Sequence, residues 1–72
     1  MSTKSLEIQE RQERLLRITQ VEAATGLRKS AIYKLAAEGR FPKALKLTAR
    51  ASAWSSSRVQ EWIAERIAGR AA

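Results

Sequence analysis

Residues 25–42 read TGLRKSAIYKLAAEGRFP, and the fold turns on how that stretch is parsed. Ile32, Leu35 and Ala36 recur at helical spacing between Gly26 and Gly39. The spacing predicts a helix from Lys29 to Glu38 with one apolar stripe, closed by Gly39. Upstream, Thr19 followed by Glu22 is a capping-box pattern, which predicts a short helix over Gln20–Thr25 that Gly26 ends as a left-handed residue. Val21, Ala24 and Leu27 form its inward edge. Two short helices joined by a tight glycine turn are the outline of a helix-turn-helix.

Downstream, Phe41-Pro42 forces an extended turn, because proline fixes its own φ and biases the preceding residue away from helix. Residues Ala44–Leu47 and Ala51–Trp54 are short strands joined by Thr48-Ala49-Arg50, a hairpin with Arg50 at its tip. Leu45 and Leu47 share one face with Lys46 on the other, the alternation of a half-buried strand. Ser55-Ser56-Ser57 then offers an N-cap for a last helix over Ser57–Ala68, with Gly69 as terminator. Val59, Trp62, Ile63 and Ile67 fall on one stripe that is expected to pack on the first two helices. Ordered structure is expected to begin at Leu15-Leu16-Arg17-Ile18. Residues 1–14 then form a flexible or partly helical arm, 15–69 the domain and 70–72 a tail. The fold class is mainly α with a small β-hairpin, a winged helix-turn-helix.

With 72 residues, one domain is the limit, and a catalytic cleft with walls and lid is hard to build. The chain has no Cys and no His, which removes thiolate and imidazole chemistry, the usual zinc ligand sets and disulfide staples. No metal or cofactor is expected, and Ser55, Ser56 and Ser57 have no base to activate them. A fold without staples relies on helix packing and aromatic anchors, here Trp54, Trp62 and Phe41. No stretch reads as a signal peptide or a membrane span, so a cytoplasmic protein is expected.

The net charge of +7 points to a polyanionic partner. Its distribution is more telling. Between Arg28 and Arg50 lie seven basic residues and one acidic residue, whereas both ends of the chain interleave the signs. On the second helix, Arg28, Lys29, Ser30, Tyr33 and Lys34 lie near the start or on the face opposite the apolar stripe. A helix so equipped enters a DNA major groove, its first turns reaching base edges and phosphates, with its N-terminal dipole favouring a phosphate. Lys43, Lys46 and Arg50 put further charge on the hairpin, suited to backbone or a narrow minor groove. These eight residues are the expected contacts to double-stranded DNA.

Thr25-Gly26-Leu27, Ser30-Ala-Ile-Tyr-Lys-Leu35, Glu38-Gly-Arg-Phe-Pro42 and Ala53-Trp54 followed by Val59 and Trp62 together resemble the AlpA family of phage-type transcriptional regulators. That family is similar in turn to phage excisionases and to the DNA-binding domain of MerR-type regulators. The resemblance implies a winged helix-turn-helix regulating genes of an integrated element, or an excisionase bending attachment-site DNA. Integrase and RNA polymerase are the protein partners it brings into view, and a dimer or cooperative array on DNA the assembly. Three positions depart from the pattern. Arg28 stands where a Ser or Thr cap is usual, Glu22 where a small apolar residue is common, and Thr48 where the hairpin turn often has Gly. A membrane-surface peptide would gather its basic residues opposite one broad apolar face, which this chain does not. A protein-interaction adaptor leaves the basic block between Arg28 and Arg50 without a reason.

Overall fold

A computed structural model describes residues 13–69 of the chain. The first helix, α1 (Ile18–Thr25), starts earlier than the Thr19–Glu22 pattern predicts. Its N-cap is Arg17, in extended conformation, and Gln20 Oε1 accepts the Arg17 backbone N–H at 2.8 Å. A guanidinium has no acceptor, so the reciprocal half of a capping box is not available from Arg17. Thr19 therefore lies inside the first turn, and Glu22 is released for another task. At the far end Gly26 takes φ 78°, and its N–H donates to the Glu22 carbonyl at 2.8 Å. That bond closes the helix in the simple left-handed cap motif. Ala24, expected on the inward edge, is exposed, while Val21 is fully buried and Leu27 packs against the core.

Helix α2 (Lys29–Ala37) follows after a three-residue turn and ends in a full Schellman motif. Gly39 N–H donates to the Ala36 carbonyl at 3.1 Å and Arg40 N–H to the Leu35 carbonyl at 2.8 Å, with Gly39 at φ 76°. The chain then runs through Phe41-Pro42, and two indoles fix that segment. Trp62 Nε1 donates to the Arg40 carbonyl at 2.8 Å and Trp54 Nε1 to the Pro42 carbonyl at 3.0 Å. Phe41 stacks edge-on against Trp62, with ring centroids 4.9 Å apart. Each tryptophan thus fills apolar space and satisfies a carbonyl of a segment whose backbone has no ladder partner.

The sheet has three antiparallel strands in the order β1-β3-β2: β1 (Leu15–Leu16), β2 (Leu45–Thr48) and β3 (Ala51–Ser55). The β2–β3 hairpin is the expected one. β1 adds a strand that a two-residue stretch cannot announce by alternation. Leu16 lies opposite Trp54 and Leu15 opposite Ser55. The Ser56 N–H continues this pairing by donating to the Arg14 carbonyl at 2.8 Å, and the Arg14 N–H donates to Ser56 Oγ at 2.8 Å. Glu13 and Arg14, assigned to the arm from the sequence, are thus bonded to the domain. The rest of the expected arm, residues 1–12, lies outside the described residues.

Helix α3 (Ser56–Ile67) leaves β3 directly, capped by Ser55, whose Oγ accepts the Arg58 N–H at 3.2 Å. The buried core is Val21, Ile32, Trp54 and Val59, one each from α1, α2, β3 and α3, with Phe41 from the segment between α2 and β2, and Trp62 and Ile63 partly buried against it. Two expectations are corrected. Ile67, on the α3 stripe, is 81 % exposed, because the helix outruns the body it packs on. Leu45 and Leu47 do alternate with Lys46, but their face is the outer one, and they are 50 % and 43 % exposed. The inner face is already filled by Leu16 and Trp54, and β2 is an edge strand reaching past the helices.

Candidate nucleic-acid interface

On α2 the apolar stripe of Ile32, Leu35 and Ala36 faces the core, and Ser30, Tyr33, Lys34 and Ala37 are exposed on the far side. Lys29 and Arg28 are exposed at its head. Five of the expected contact residues are therefore gathered on one short helix. Ala37 on the same face keeps its end slim.

The head of the helix is held in a way the sequence did not disclose. Arg28, its N-cap residue, offers no side-chain cap. Instead Glu22 Oε2, on α1, accepts the Lys29 backbone N–H at 2.8 Å. The carboxylate satisfies an orphan donor and sits at the positive end of the α2 dipole. The anion expected there from a nucleic acid is thus supplied by the protein itself, and Arg28 is left free to extend outward. The signal for this was the pairing of an uncapped Arg28 with an acidic Glu22, both out of pattern.

Tyr33 is 46 % exposed, and its ring lies 5.8 Å from that of Trp54 at a tilt of 53°. It is both the edge of the core and a surface group. Because Trp54 belongs to β3, the contact ties the outward face of α2 to the hairpin.

Lys46 lies opposite Ser52, on the sheet face that carries Trp54, so it shares the inner side with α2. Its Nζ donates to the Ala49 carbonyl at 3.4 Å, across the turn. Arg50 is exposed at the tip, and its N–H donates to Thr48 Oγ1 at 3.1 Å. The Thr48 hydroxyl orders the turn without left-handed backbone: among the described residues only Gly26, Gly39 and Gly69 have positive φ. A bulge between Lys46 and Thr48 adds the local twist. Lys43 is placed apart from the others. It lines a cleft with Glu13, Pro42, Leu45, Ser55 and Arg58 on the outer side of the sheet.

Among the described residues no three His, Cys, Asp or Glu side chains come together as metal ligands, and no helix is long and apolar enough to cross a membrane. A basic helix face and a hairpin with a cation at its tip are chemically suited to a polyanion. The chain belongs to the family of the prophage CP4-57 regulatory protein, AlpA, whose pattern it matches over residues 14–67. It is also similar to an uncharacterized protein, ORF88, of Enterobacteria phage P4. The two are 46 % identical over 59 residues, covering 82 % of this chain and 67 % of that protein. The family is one of phage regulatory proteins that bind DNA.

Proposed function

We propose that this protein is a sequence-specific transcriptional regulator of a prophage or other integrated element, acting in the cytoplasm as a winged helix-turn-helix without enzymatic activity. α2 enters the major groove, and the hairpin lies along the adjacent backbone or minor groove. The observation that carries the reading is the Tyr33–Trp54 ring contact, which sets the basic helix α2 against the sheet face on which Lys46 lies. Lys29 and Lys34 reach base edges, Ser30 and Tyr33 support them, and Arg28, Lys46 and Arg50 hold phosphates. Lys43, on the cleft side of the sheet, is a peripheral phosphate contact. A domain of this size makes few base contacts, so its specificity draws on neighbouring copies or on DNA deformation.

The test is an anisotropy titration against random duplex and against attachment-site and integrase-promoter duplexes, at two salt concentrations. Salt-sensitive binding with preference for a promoter duplex is expected. Preference for attachment-site DNA with bending would assign the chain to excision instead, and no binding at low salt would overturn the DNA reading. Within that assay, Arg50→Ala weakens binding to every duplex and reduces the salt slope by about one. Lys29→Ala or Lys34→Ala lowers the preference for target over random duplex; a uniform loss would move that residue to the backbone.

A further inference from the structure

The sheet has two unlike faces. The inner one carries Leu16, Trp54 and Lys46. On the outer one, Leu15 and Leu45 flank β3 at its Ser55 and Ala53 positions and are 53 % and 50 % exposed. Beside them opens a cleft of about 470 Å³ with Pro42 and Leu45 as apolar lining and Lys43 and Arg58 at its rim. Glu13 also lines it, but the Ser55, Ser56 and Ser57 hydroxyls and the Ser57 N–H all donate to its carboxylate. Glu13 keeps its negative charge, and against it the two cations Lys43 and Arg58 leave the cleft with a small positive excess.

The matching surface is on the same molecule, at the far end of α3. Ile67 is the most exposed of the large hydrophobics. Helical geometry puts Ala64 and Ala68 beside it, with Glu61 and Glu65 further round the exposed side. Among the described residues, neither glutamate has an ion-pair partner, and neither Lys43 nor Arg58 has one. Ile67 lies nine residues along α3 from Arg58, about 13 Å, so one copy cannot fold its own knob into its own cleft.

We propose that the outer cleft receives the Ile67 end of α3 from a second copy of this chain, in a head-to-tail contact. Ile67 and its flanking alanines fill the apolar lining of Pro42 and Leu45, and Glu61 and Glu65 face Lys43 and Arg58. Such a contact is heterologous: each copy keeps one free knob and one free cleft, so the association extends in a row rather than closing as a dimer. It is small beside a standard interface of about 1,600 Å² and is correspondingly weak in isolation. The inference does not depend on DNA binding, since neither Ile67 nor Leu45 belongs to the α2 face.

The chain has no cysteine, which makes directed crosslinking clean. Leu45→Cys and Ile67→Cys variants, the second carrying a hexahistidine tag so that products separate by mass, are oxidised singly and mixed. The ionic strength is held at about 0.15 M, where a Debye length of about 8 Å damps the repulsion between copies while pairs in direct contact persist. The mixed disulfide dimer is expected in excess of the statistical mixture, and each variant alone is expected to stay largely monomeric. Sedimentation of the unmodified full chain from micromolar to millimolar concentration should show weight-average mass rising without a plateau at dimer. Ile67→Glu should abolish the rise with an unchanged melting temperature, as its exposure requires. Self-paired disulfides in excess, a chain that stays monomeric throughout, or an Ile67→Glu variant that associates as before would each overturn the proposal.

Discussion

The Glu22 carboxylate accepts the Lys29 backbone N–H at 2.8 Å and so caps a helix from outside it. Capping across the turn fixes the angle between α1 and α2 as well as the first turn of α2. Glu22→Ala should cost about 1 kcal/mol, the usual value of an N-cap, and lower the melting temperature by about 4–8 °C. Arg28→Ser supplies an acceptor for a different donor, the Ser30 or Ala31 N–H, and should raise the melting temperature by a similar amount in the wild type and in the Glu22→Ala background. Melting shifts that fail to add across the four proteins would show the two caps competing for one donor.

Tyr33 can be split into ring and hydroxyl. Tyr33→Phe retains the contact with Trp54 and should melt with the wild type. Tyr33→Ala should lose about 0.5–1.5 kcal/mol for the aromatic pair in addition to the apolar area of the ring. A drop in DNA affinity for Tyr33→Phe at unchanged stability then measures the hydroxyl alone; an affinity equal to wild type confines Tyr33 to its packing role.

Thr48 governs where Arg50 points. Thr48→Val preserves shape and β-branching but removes the acceptor for the Arg50 N–H, a loss of about 0.5–1.5 kcal/mol in hairpin order. DNA affinity should fall although every cation is still present. Faster amide exchange at Arg50 is the accompanying NMR sign, and unchanged exchange would show that the bulge alone orders the turn.

Glu13 gives a pH dependence of definite sign. The Ser57 hydroxyl and backbone N–H, with help from Ser55 and Ser56, hold its carboxyl below the ordinary carboxylate value. A carboxyl with a lowered folded pKa stabilises the fold at pH above its unfolded value, and that contribution disappears as pH falls through the folded one. The melting temperature of wild type should exceed that of Glu13→Gln at neutral pH, and the gap should close as the solution is acidified below the ordinary carboxylate range. A gap independent of pH would assign the difference to packing.

Much of this was legible from residues alone because the signals were local. Gly26 and Gly39 end helices by a backbone conformation that favours glycine, and Ile32, Leu35 and Ala36 carry a period that only one face of a helix explains. The hairpin and the serine cap of α3 have similarly short-range causes. What escaped depended on partners distant in sequence. Glu22 looked like a member of a capping box because Thr19 stood three residues before it, and only the start of α1 at Ile18 frees it for Lys29. Leu45 and Leu47 showed the right alternation with the wrong side inward, since periodicity gives two faces and cannot say which one the core occupies. Leu16 and Trp54, opposite each other across β1 and β3, decide that. Ile67 continued a stripe correctly, but a stripe does not tell where the body beneath it stops. The gathering of the basic residues on α2 follows from the helix period, whereas the separation of Lys43 from Lys46 needed the sheet.

The two indole N–H bonds to the Arg40 and Pro42 carbonyls also equip the protein with optical probes. Trp54 is sealed from solvent on the hairpin, whereas Trp62 is partly exposed on the last helix, with the Arg66 guanidinium 4.7 Å above its ring. Their emission should differ in colour and in access to quenchers. Replacing either by phenylalanine leaves a single tryptophan, which can be excited apart from Tyr33. One variant then reports the seating of the hairpin and the other the docking of α3, each followed in real time without an attached dye.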